Sequence, residues 1–587
     1  MSRYAPGLAT QHFTEGDYFF RGLDLKHDRT VLEQGMVAKS INKRLRTGVA
    51  ETRFGTQMPA DFNPPFSNQI AGSIVYSNPN GGESLLVGCA GDPFVWELMD
   101  GVAPRQVPIT GGAAPLGGVI FFVQAFDKVL ILHGGVTPLE WNGLDYVGGF
   151  HPVVKSDPSD TSTLLIPNTV RYGVPFQSRI LYANGRDHIL MSDVLDYTSY
   201  DPVLADFRIN AGESDFIIAI QPYNAESVIV FMKNSIHRFS NFTIDPSLAR
   251  QEVVTREFGL VDRRTLTQVG ADIIFLARKG FYRVNQVFEN QTISAPVPIS
   301  DLITPQLEGI NWELVGIASF TGIAFLGEYV YCAVPIGNNF PRNIFVYNTV
   351  TSLWESVDAW TNPQVFINYM ESTLFNGVRR LFGINKRYPA VYLMYEGNLD
   401  QTIYHTANGS SPADVISRVD NVNDILETRA YGQALGLNDQ KKFQRVALSV
   451  RTRHPSFQIS SLADGYNEVK ALGSIITKDT SKFYIWGHPD FPPSSDPNEP
   501  KRQDYYQGET EWVAQDMENL LPGFIDLLPG VVSDEIGGPE TESMERRAIR
   551  QVSRWCSIRI ENEQGRCDIL GVAVDSMAVR RDTMVAA

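Results

Sequence analysis

Nine histidines and 66 acidic residues offer ample material for catalysis in this 587-residue chain, yet their spacing organises none of it. No histidine pair has the HExxH spacing of a zinc helix, and no GxSxG elbow, GxxxxGKS/T loop or GxGxxG turn occurs. Glycoside hydrolysis needs two carboxylates facing each other across a sugar, and no pattern singles out such a pair. Ser461-Leu462-Ala463-Asp464-Gly465 comes nearest to the sialidase Asp-box, Ser-x-Asp-x-Gly-x-Thr-Trp, and does not fit it. Four aspartates, Asp193, Asp196, Asp201 and Asp206, crowd the polar stretch Ser192 to Gly212. They lack the order and the closing glutamate of an EF-hand, so a structured connection is expected there and not a calcium site. Cys89, Cys332, Cys556 and Cys567 match no zinc spacing and mostly sit in apolar runs, as buried free thiols do. The expectation is a protein that is not an enzyme, with no catalytic residue, no metal and no cofactor.

The elements that would have to position any site are more informative. Seven hairpins recur, each an apolar run, a short polar turn and a second run carrying an aromatic. They begin at Leu85 (LLVGCAGDPFVWE), Val129 (VLILHGGVTPLEWN), Ile180 (ILYANGRDHILMSD) and Val228 (VIVFMKNSIHRFS). The remaining three begin at Ile273 (IIFLARKGFYRVN), Val330 (VYCAVPIGNNFPRNIFVYN) and Leu381 (LFGINKRYPAVYLMYE). The starts are 44, 51, 48, 45, 57 and 51 residues apart. Strand–turn–strand content at a period of roughly 40–50 residues is the mark of β-propeller blades. Asp100-Gly101, Asn142-Gly143, Asn184-Gly185 and Asn376-Gly377 add tight-turn dipeptides of the type I′ kind, which need positive φ at both central positions. Trp96, Trp141, Phe239, Tyr282, Tyr347 and Tyr395 fall near the end of the second run, where they would pack one blade on the next. The predicted fold is all-β: a propeller of six to eight blades over 67–400, with an N-terminal arm (1–66) before it. A linker (401–426) and a β-sandwich (427–587) carrying an acidic insertion (487–545) follow.

The arm is locally basic from Lys39 to Arg53, and Lys43, Arg44 and Arg46 are its candidate contacts to a neighbouring subunit, set against a plain solvated arm. From Pro489 to Glu545 the insertion holds 14 acidic residues and two basic ones. It also carries the apolar stretch Leu520 to Val532. Leu520, Leu521, Phe524, Ile525, Leu527 and Leu528 are therefore candidates for docking on a subunit or partner. The net charge of −16 excludes a sequence-independent nucleic-acid binder, which must be basic to replace counterions. A carboxylate-lined passage would instead let DNA slide by without sticking. No basic segment followed by an apolar run opens the chain, and no stretch of about 18 apolar residues occurs, so neither a signal peptide nor a membrane helix is expected. The cysteine usage suits assembly in a reducing cytoplasm.

Longer phrases carry a resemblance. They are the leader from Phe20 to Thr56 (FRGLDLKHDRTVLEQGMVAKSINKRLRTGVAETRFGT) and the blade ILYANGRDHILMSDVLDYTSYDP from Ile180 to Pro202. The next two blades read IIAIQPYNAESVIVFMKNSIHRFS, from Ile217, and EFGLVDRRTLTQVGADIIFLARKGFYRVN, and KKFQRVALSV opens the tail. Together they resemble the β-propeller tail proteins of short-tailed bacteriophages: the tail nozzle, tail tubular protein B or packaged-DNA stabilisation family. The resemblance implies a structural virion protein, assembled in the host cytoplasm as a homo-hexamer. It implies contacts with a tail tubular adaptor and with tail fibres or a tail needle, and genomic DNA passing through the lumen unbound. It brings no catalytic residues. The insertion departs from the simplest family pattern and leaves a neighbouring ring or fibre-docking component open. Two other readings are a fibre or baseplate propeller that binds host glycans, with Trp354 and Trp360 as candidate stacking residues if they are exposed, and a propeller hydrolase acting on surface polysaccharide.

Overall fold

The computed structural model describes residues 12–578 except 114, 243–245, 290–295, 317–319, 338–340, 406–414, 433–439, 464–468, 477–530, 533–534 and 537–540. The chain divides into two units. One comprises Thr56–Tyr395 with Gln401–Val419, and the other Met1–Gly55, Glu396–Asp400 and Asp420–Ala587.

The first unit is a ring of seven antiparallel sheets. Each of the seven hairpins supplies the second and third strands of one sheet, and an inner strand precedes it. The inner strands are Ile70–Ser77, Phe121–Ala125, Val170–Phe176, Ile217–Asn224, Thr267–Val269, Thr321–Phe325 and Tyr369–Phe375. Numbered in chain order, blades 1–4 and 6 have four strands in the order inner to outer, and blade 5 has three. Alternate residues of the second and third strands face the two neighbouring blades, so these strands are buried on both sides and read as continuous apolar runs. Trp141 packs between blades 1 and 2, Phe239 between 3 and 4, and Tyr282 between 4 and 5. Trp96 lies in the cluster joining blade 1 to blade 7. Phe281 of blade 5 meets Trp354 of blade 6 with ring centroids 5.0 Å apart. Trp96, Trp141, Phe239 and Tyr282 thus pack at the seams that the sequence pattern predicts for them.

The ring closes before its first blade begins. Strand Thr56–Gln57 pairs with Ala390–Met394 of blade 7 (Leu393↔Gln57, Met394↔Thr56) and so serves as that blade's outer strand. Asn63 extends the seam. Its side-chain amide donates to the Val391 carbonyl (2.8 Å) and its oxygen accepts from the Val391 N–H (2.8 Å). Phe62 then stacks on Phe382 at 4.6 Å. Residues 56–66 thus belong to the propeller, a correction to the arm boundary. The linker expectation is corrected as well: strands Leu399–His405 and Val415–Asn421 add to the edge of the blade 7 sheet, and Asp424–Thr428 is a strand of the other unit. Among the four tight-turn dipeptides, only Asn376-Gly377 has positive φ at both positions (50° and 71°). At Asn142-Gly143 only the glycine is left-handed, because the Asn142 carboxamide oxygen caps a longer connection by accepting from Leu144 and Asp145 N–H groups.

The second unit is built on two 23-residue strands, Lys441–Ala463 and Cys556–Ala578, paired along their length with register shifts near Arg453 and Ser456. Each serves two sheets. One half of the pair is flanked by Thr541–Ser553 and by His12–Asp17, the other by Val469–Ile476 and Asp424–Thr428. Contacts join the two halves, with Ser461 Oγ donating to Gln551 Oε1 (3.0 Å) and Lys470 Nζ to the Ile549 carbonyl (2.7 Å). Two layers made from bent strands shared between sheets form the expected sandwich.

The N-terminal segment is not a solvated arm. His12–Asp17 pairs with residues 572–577 and Met36–Ile41 with Asp424–Thr428. Two of its basic residues, Lys43 and Arg53, are paired inside the unit. Lys43 is 0% exposed, with Nζ 2.8 Å from Asp424 Oδ1 and donating to the Cys567 carbonyl at 2.6 Å. Arg53 forks onto Asp400 at 2.9 and 2.8 Å, and Arg429 reaches Asp17 at 3.0 Å. Lys43 is therefore unavailable as a subunit clasp, because an ammonium at a buried strand edge must be paired to stay charged. Arg44 is half-buried and donates to the Lys43 carbonyl (2.9 Å), whereas Arg46 is exposed.

Candidate functional site at the axial mouth

Because every blade runs inner strand to outer strand in the same sense, the ring has two chemically distinct faces. Turns between second and third strands emerge on one face, together with the connections between blades. Turns between first and second, and between third and fourth, emerge on the other. The described turns of this second face hold Asp100, Asp127, Asp145, Asp193, Asp196, Asp201, Glu226 and Glu328, and no lysine or arginine. On the first face the second-to-third turns hold Arg186, Lys233, Arg278, Lys279, Arg342, Lys386 and Arg387 against only Asp92 and Asp187. The connections between blades on that same face add Asp157, Asp160, Glu213, Asp215, Glu257, Asp262, Glu289, Asp301, Glu308 and Glu313 against Lys155, Arg256, Arg263 and Arg264. The chain thus presents one carboxylate face and one face of mixed charge whose cations gather at the second-to-third turns.

The face of the second-to-third turns leads into the axis. The connection from blade 4 to blade 5 forms a 3-10 turn, Arg263–Thr265, capped by Asp262, whose carboxylate accepts from the Arg264 N–H at 3.0 Å. The same carboxylate takes the Arg264 guanidinium as a fork, Nε at 2.9 Å and Nη2 at 2.6 Å. This pair sets Arg264 beside Tyr369 of blade 7, with 5.8 Å from guanidinium carbon to ring centroid. Tyr369 is in turn tied to blade 1 by donating to the Ala71 carbonyl (2.8 Å). Arg263 projects the other way, onto the rings of Phe121 in blade 2 and Tyr172 in blade 3, the latter at 4.9 Å. Rings from blades 2, 3 and 7 therefore meet around two consecutive arginines of the connection between blades 4 and 5. Lys386, in the second-to-third turn of blade 7, donates to the Gly118 carbonyl (3.3 Å) at the rim.

The electrostatics are uneven. Burial would depress Arg264, but Asp262 outweighs it and holds Arg264 above the usual arginine range. Burial and the charge of Arg264 push Arg263 well below that range and also lower Lys386. Further along the axis Glu371, two residues from Tyr369 on the same inner strand, accepts from Ser73 Oγ (2.8 Å), and burial raises its carboxyl to about 7. In the sequence, Asp262-Arg263-Arg264-Thr265 lies inside the blade phrase EFGLVDRRTLTQVG, where no site is expected. An N-capping aspartate before twin arginines, between apolar runs, was the available signal.

The residues proposed from sequence are placed elsewhere. Asp193, Asp196 and Asp201 lie in the third-to-fourth connection of blade 3 and Asp206 opens its outer strand, and each is taken up locally. Asp196 accepts from Thr198, Ser199 and Ser156, Asp193 from Ser199, and Asp201 from two backbone N–H groups, while Asp206 contacts His188 at 2.7 Å. Among the described residues no group of three or more His, Cys, Asp or Glu side chains could hold a metal ion. Trp354 and Trp360 are core residues, 2% and 4% exposed, which removes the two aromatics named for a glycan surface. All four cysteines are buried free thiols. Leu520, Leu521, Phe524, Ile525, Leu527 and Leu528 lie outside the described residues.

Comparison with known proteins returns structures only; no family model and no curated protein matches. The chain is similar to the extracellular domain of the one-component system BT4673 from B. thetaiotaomicron, with 11% identity over 78% of this chain and 61% of that one (TM-score 0.37). It is also similar to BBS1N in complex with ARL6DN, with 12% identity, 58% and 98% coverage, and a TM-score of 0.37. A third match is the Cps50 (Swd1) β-propeller domain from Myceliophteria thermophila, with 12% identity, 59% and 91% coverage, and a TM-score of 0.28. The chain spans about three-fifths of the first of these. The propeller assignment rests on the seven sheets and their closure.

Proposed function

We propose that this chain is a structural subunit of a bacteriophage tail: a nozzle or ring component that extends the DNA channel and helps retain the packaged genome until ejection. The observation that carries the reading is the carboxylate face. Turns from successive blades present acids, with cations such as Lys128, Arg250 and Arg379 only on the strand ends beside them, and a predominantly acidic wall repels phosphate and leaves a polyanion free to slide. The propeller's own axis is occupied by Arg263, Arg264 and the rings around them, so a DNA path has to run between copies of the chain. On this reading the protein acts as a homo-oligomer of the hexameric kind, seated on a tail tubular adaptor, with fibres or a needle beyond it. Its place is the virion, and DNA passes without specific binding.

Mass photometry of the full chain, alone and with the adaptor, is the test. A ring-sized species in either sample is the expected result. A compact monomer in both would overturn the proposal.

A further inference from the structure

We propose that Lys43 and Asp424 join spontaneously in the folded chain through an isopeptide bond between Nζ and Cγ, so that the sandwich unit crosslinks itself. The inference does not depend on the tail-subunit reading. It starts from a buried polar cluster, Lys43, Thr52, Asp424, Asn562 and Cys567, no member of which is more than 3% exposed. Strand pairing brings them together: Lys43 lies opposite Thr52, and Asp424 opposite Asn562. Lys43 Nζ is 2.8 Å from Asp424 Oδ1, and both side chains are 0% exposed. Yet Oδ1 accepts no hydrogen bond of ordinary geometry, so the amine touches the carboxyl group without being aligned on it as a donor. The other oxygen, Oδ2, is held by two donors, Thr52 Oγ1 at 2.7 Å and Asn562 Nδ2 at 3.0 Å. Those are the distances at which an oxyanion hole works. Nζ itself donates to the Cys567 carbonyl at 2.6 Å, which holds the amine against the carboxyl group.

The step balances without a co-reactant. One ammonium proton passes to Oδ1; burial raises the Asp424 carboxyl above the ordinary aspartate range in spite of the ammonium beside it, which makes the carboxylate a ready acceptor. The freed nitrogen lone pair forms the bond to Cγ, and negative charge develops on Oδ2 between Thr52 and Asn562. A second proton moves from nitrogen to Oδ1, the Cγ–Oδ1 bond breaks, and water leaves. One ammonium and one carboxylate become one amide and one water. In bulk water this condensation is unfavourable. Here solvent is excluded and the partners are held in contact, an arrangement equivalent to an effective concentration of about 10⁵ M or more. The reaction also removes two charges from a buried site. Its product keeps every polar group partnered, the amide N–H on the Cys567 carbonyl and the amide oxygen on Thr52 and Asn562. The bond ties the N-terminal segment to a strand far along the chain, and closing so long a loop constrains the unfolded state. It does so in a protein whose four cysteines are free thiols and supply no disulfide.

Tryptic peptide mapping of the full chain by tandem mass spectrometry tests this. The expected result is a branched peptide in which Ser40–Arg44 is joined to Val419–Arg429 at one water less than their summed mass, with fragment ions placing the link on Lys43 and Asp424. Lys43→Arg keeps the cation but supplies no primary amine, and it should give only linear peptides and a lower Tm. In a time course after cell-free synthesis, Thr52→Val should slow formation of the branch by about a hundredfold, and Thr52→Ser should restore it. A purely structural Thr52 would change Tm and leave that rate alone, which would count against the oxyanion role. Linear peptides alone, after prolonged incubation of the native parent chain, would overturn the proposal. So would a branch from Lys43 to Ile560–Arg566 at one ammonia less, which would place the bond on Asn562. If Lys43→Arg does not fold, the peptide map of the parent chain decides the question by itself.

Discussion

Glu371 offers a clean electrostatic test of the propeller axis. Its carboxyl sits on the inner strand of blade 7, accepts one hydrogen bond from Ser73 on the inner strand of blade 1, and is held by burial at about 7 against an ordinary value of 4.5. The raised value means that the folded protein binds a proton which the unfolded chain releases between these two pH values. Stability therefore falls as pH rises from 4.5 towards 7 and levels off above it, and below 4.5 the group contributes nothing. The full difference corresponds to about 3 kcal/mol, and because the side chain keeps some exposure this is an upper bound. Glu371→Gln preserves the shape and the acceptor for Ser73 but cannot ionise. Urea unfolding at pH 4.5 and pH 8, followed by tryptophan fluorescence, should show variant and parent equally stable at the lower pH. The variant should be more stable by about 1–3 kcal/mol at the higher. Hydrogen exchange in the inner strands of blades 1 and 7 should slow with it. Parallel stability profiles across this range would show that Glu371 is solvated, and the reasoning about the axis would fail.

Three further outcomes follow from the packing. Lys43→Met should destabilise the sandwich unit by about 3–5 kcal/mol, because it strands the Asp424 carboxylate among buried groups; a Lys43→Met/Asp424→Leu double variant should recover part of this loss in urea unfolding. Phe62→Ala empties the seam where Phe62 stacks on Phe382, at a cost of about 3–5 kcal/mol, and limited proteolysis should then cleave first between residues 56 and 66. Burial pushes the Cys89, Cys556 and Cys567 thiols up to about 12 and raises Cys332 as well, so a disulfide reagent at pH 8 should label no cysteine in the native protein and four after denaturation.

How much was legible in the sequence varies from element to element. The seven hairpins were, because a strand buried on both faces leaves an uninterrupted apolar run and its turn leaves glycine, asparagine or aspartate. The seam aromatics were legible for the same reason. Ring closure was not. Thr56 and Gln57 carry no apolar pattern, and they become the outer strand of blade 7 only because the chain's first propeller segment lies beside its last. The basic run around Lys43 reads as a surface in the sequence, since local composition cannot reveal that Asp424 and Asp400 lie opposite Lys43 and Arg53.

The sequence by itself therefore determined the repeat, the all-β class and the acidic balance, which are properties of short windows and of composition. The tertiary structure alone decided which side of the disc each charged turn occupies, and that blades 2, 3 and 7 bring aromatic rings to one pair of arginines. Those placements depend on closure of the ring, and closure is set by contacts between residues more than 300 positions apart, such as Leu393 and Gln57.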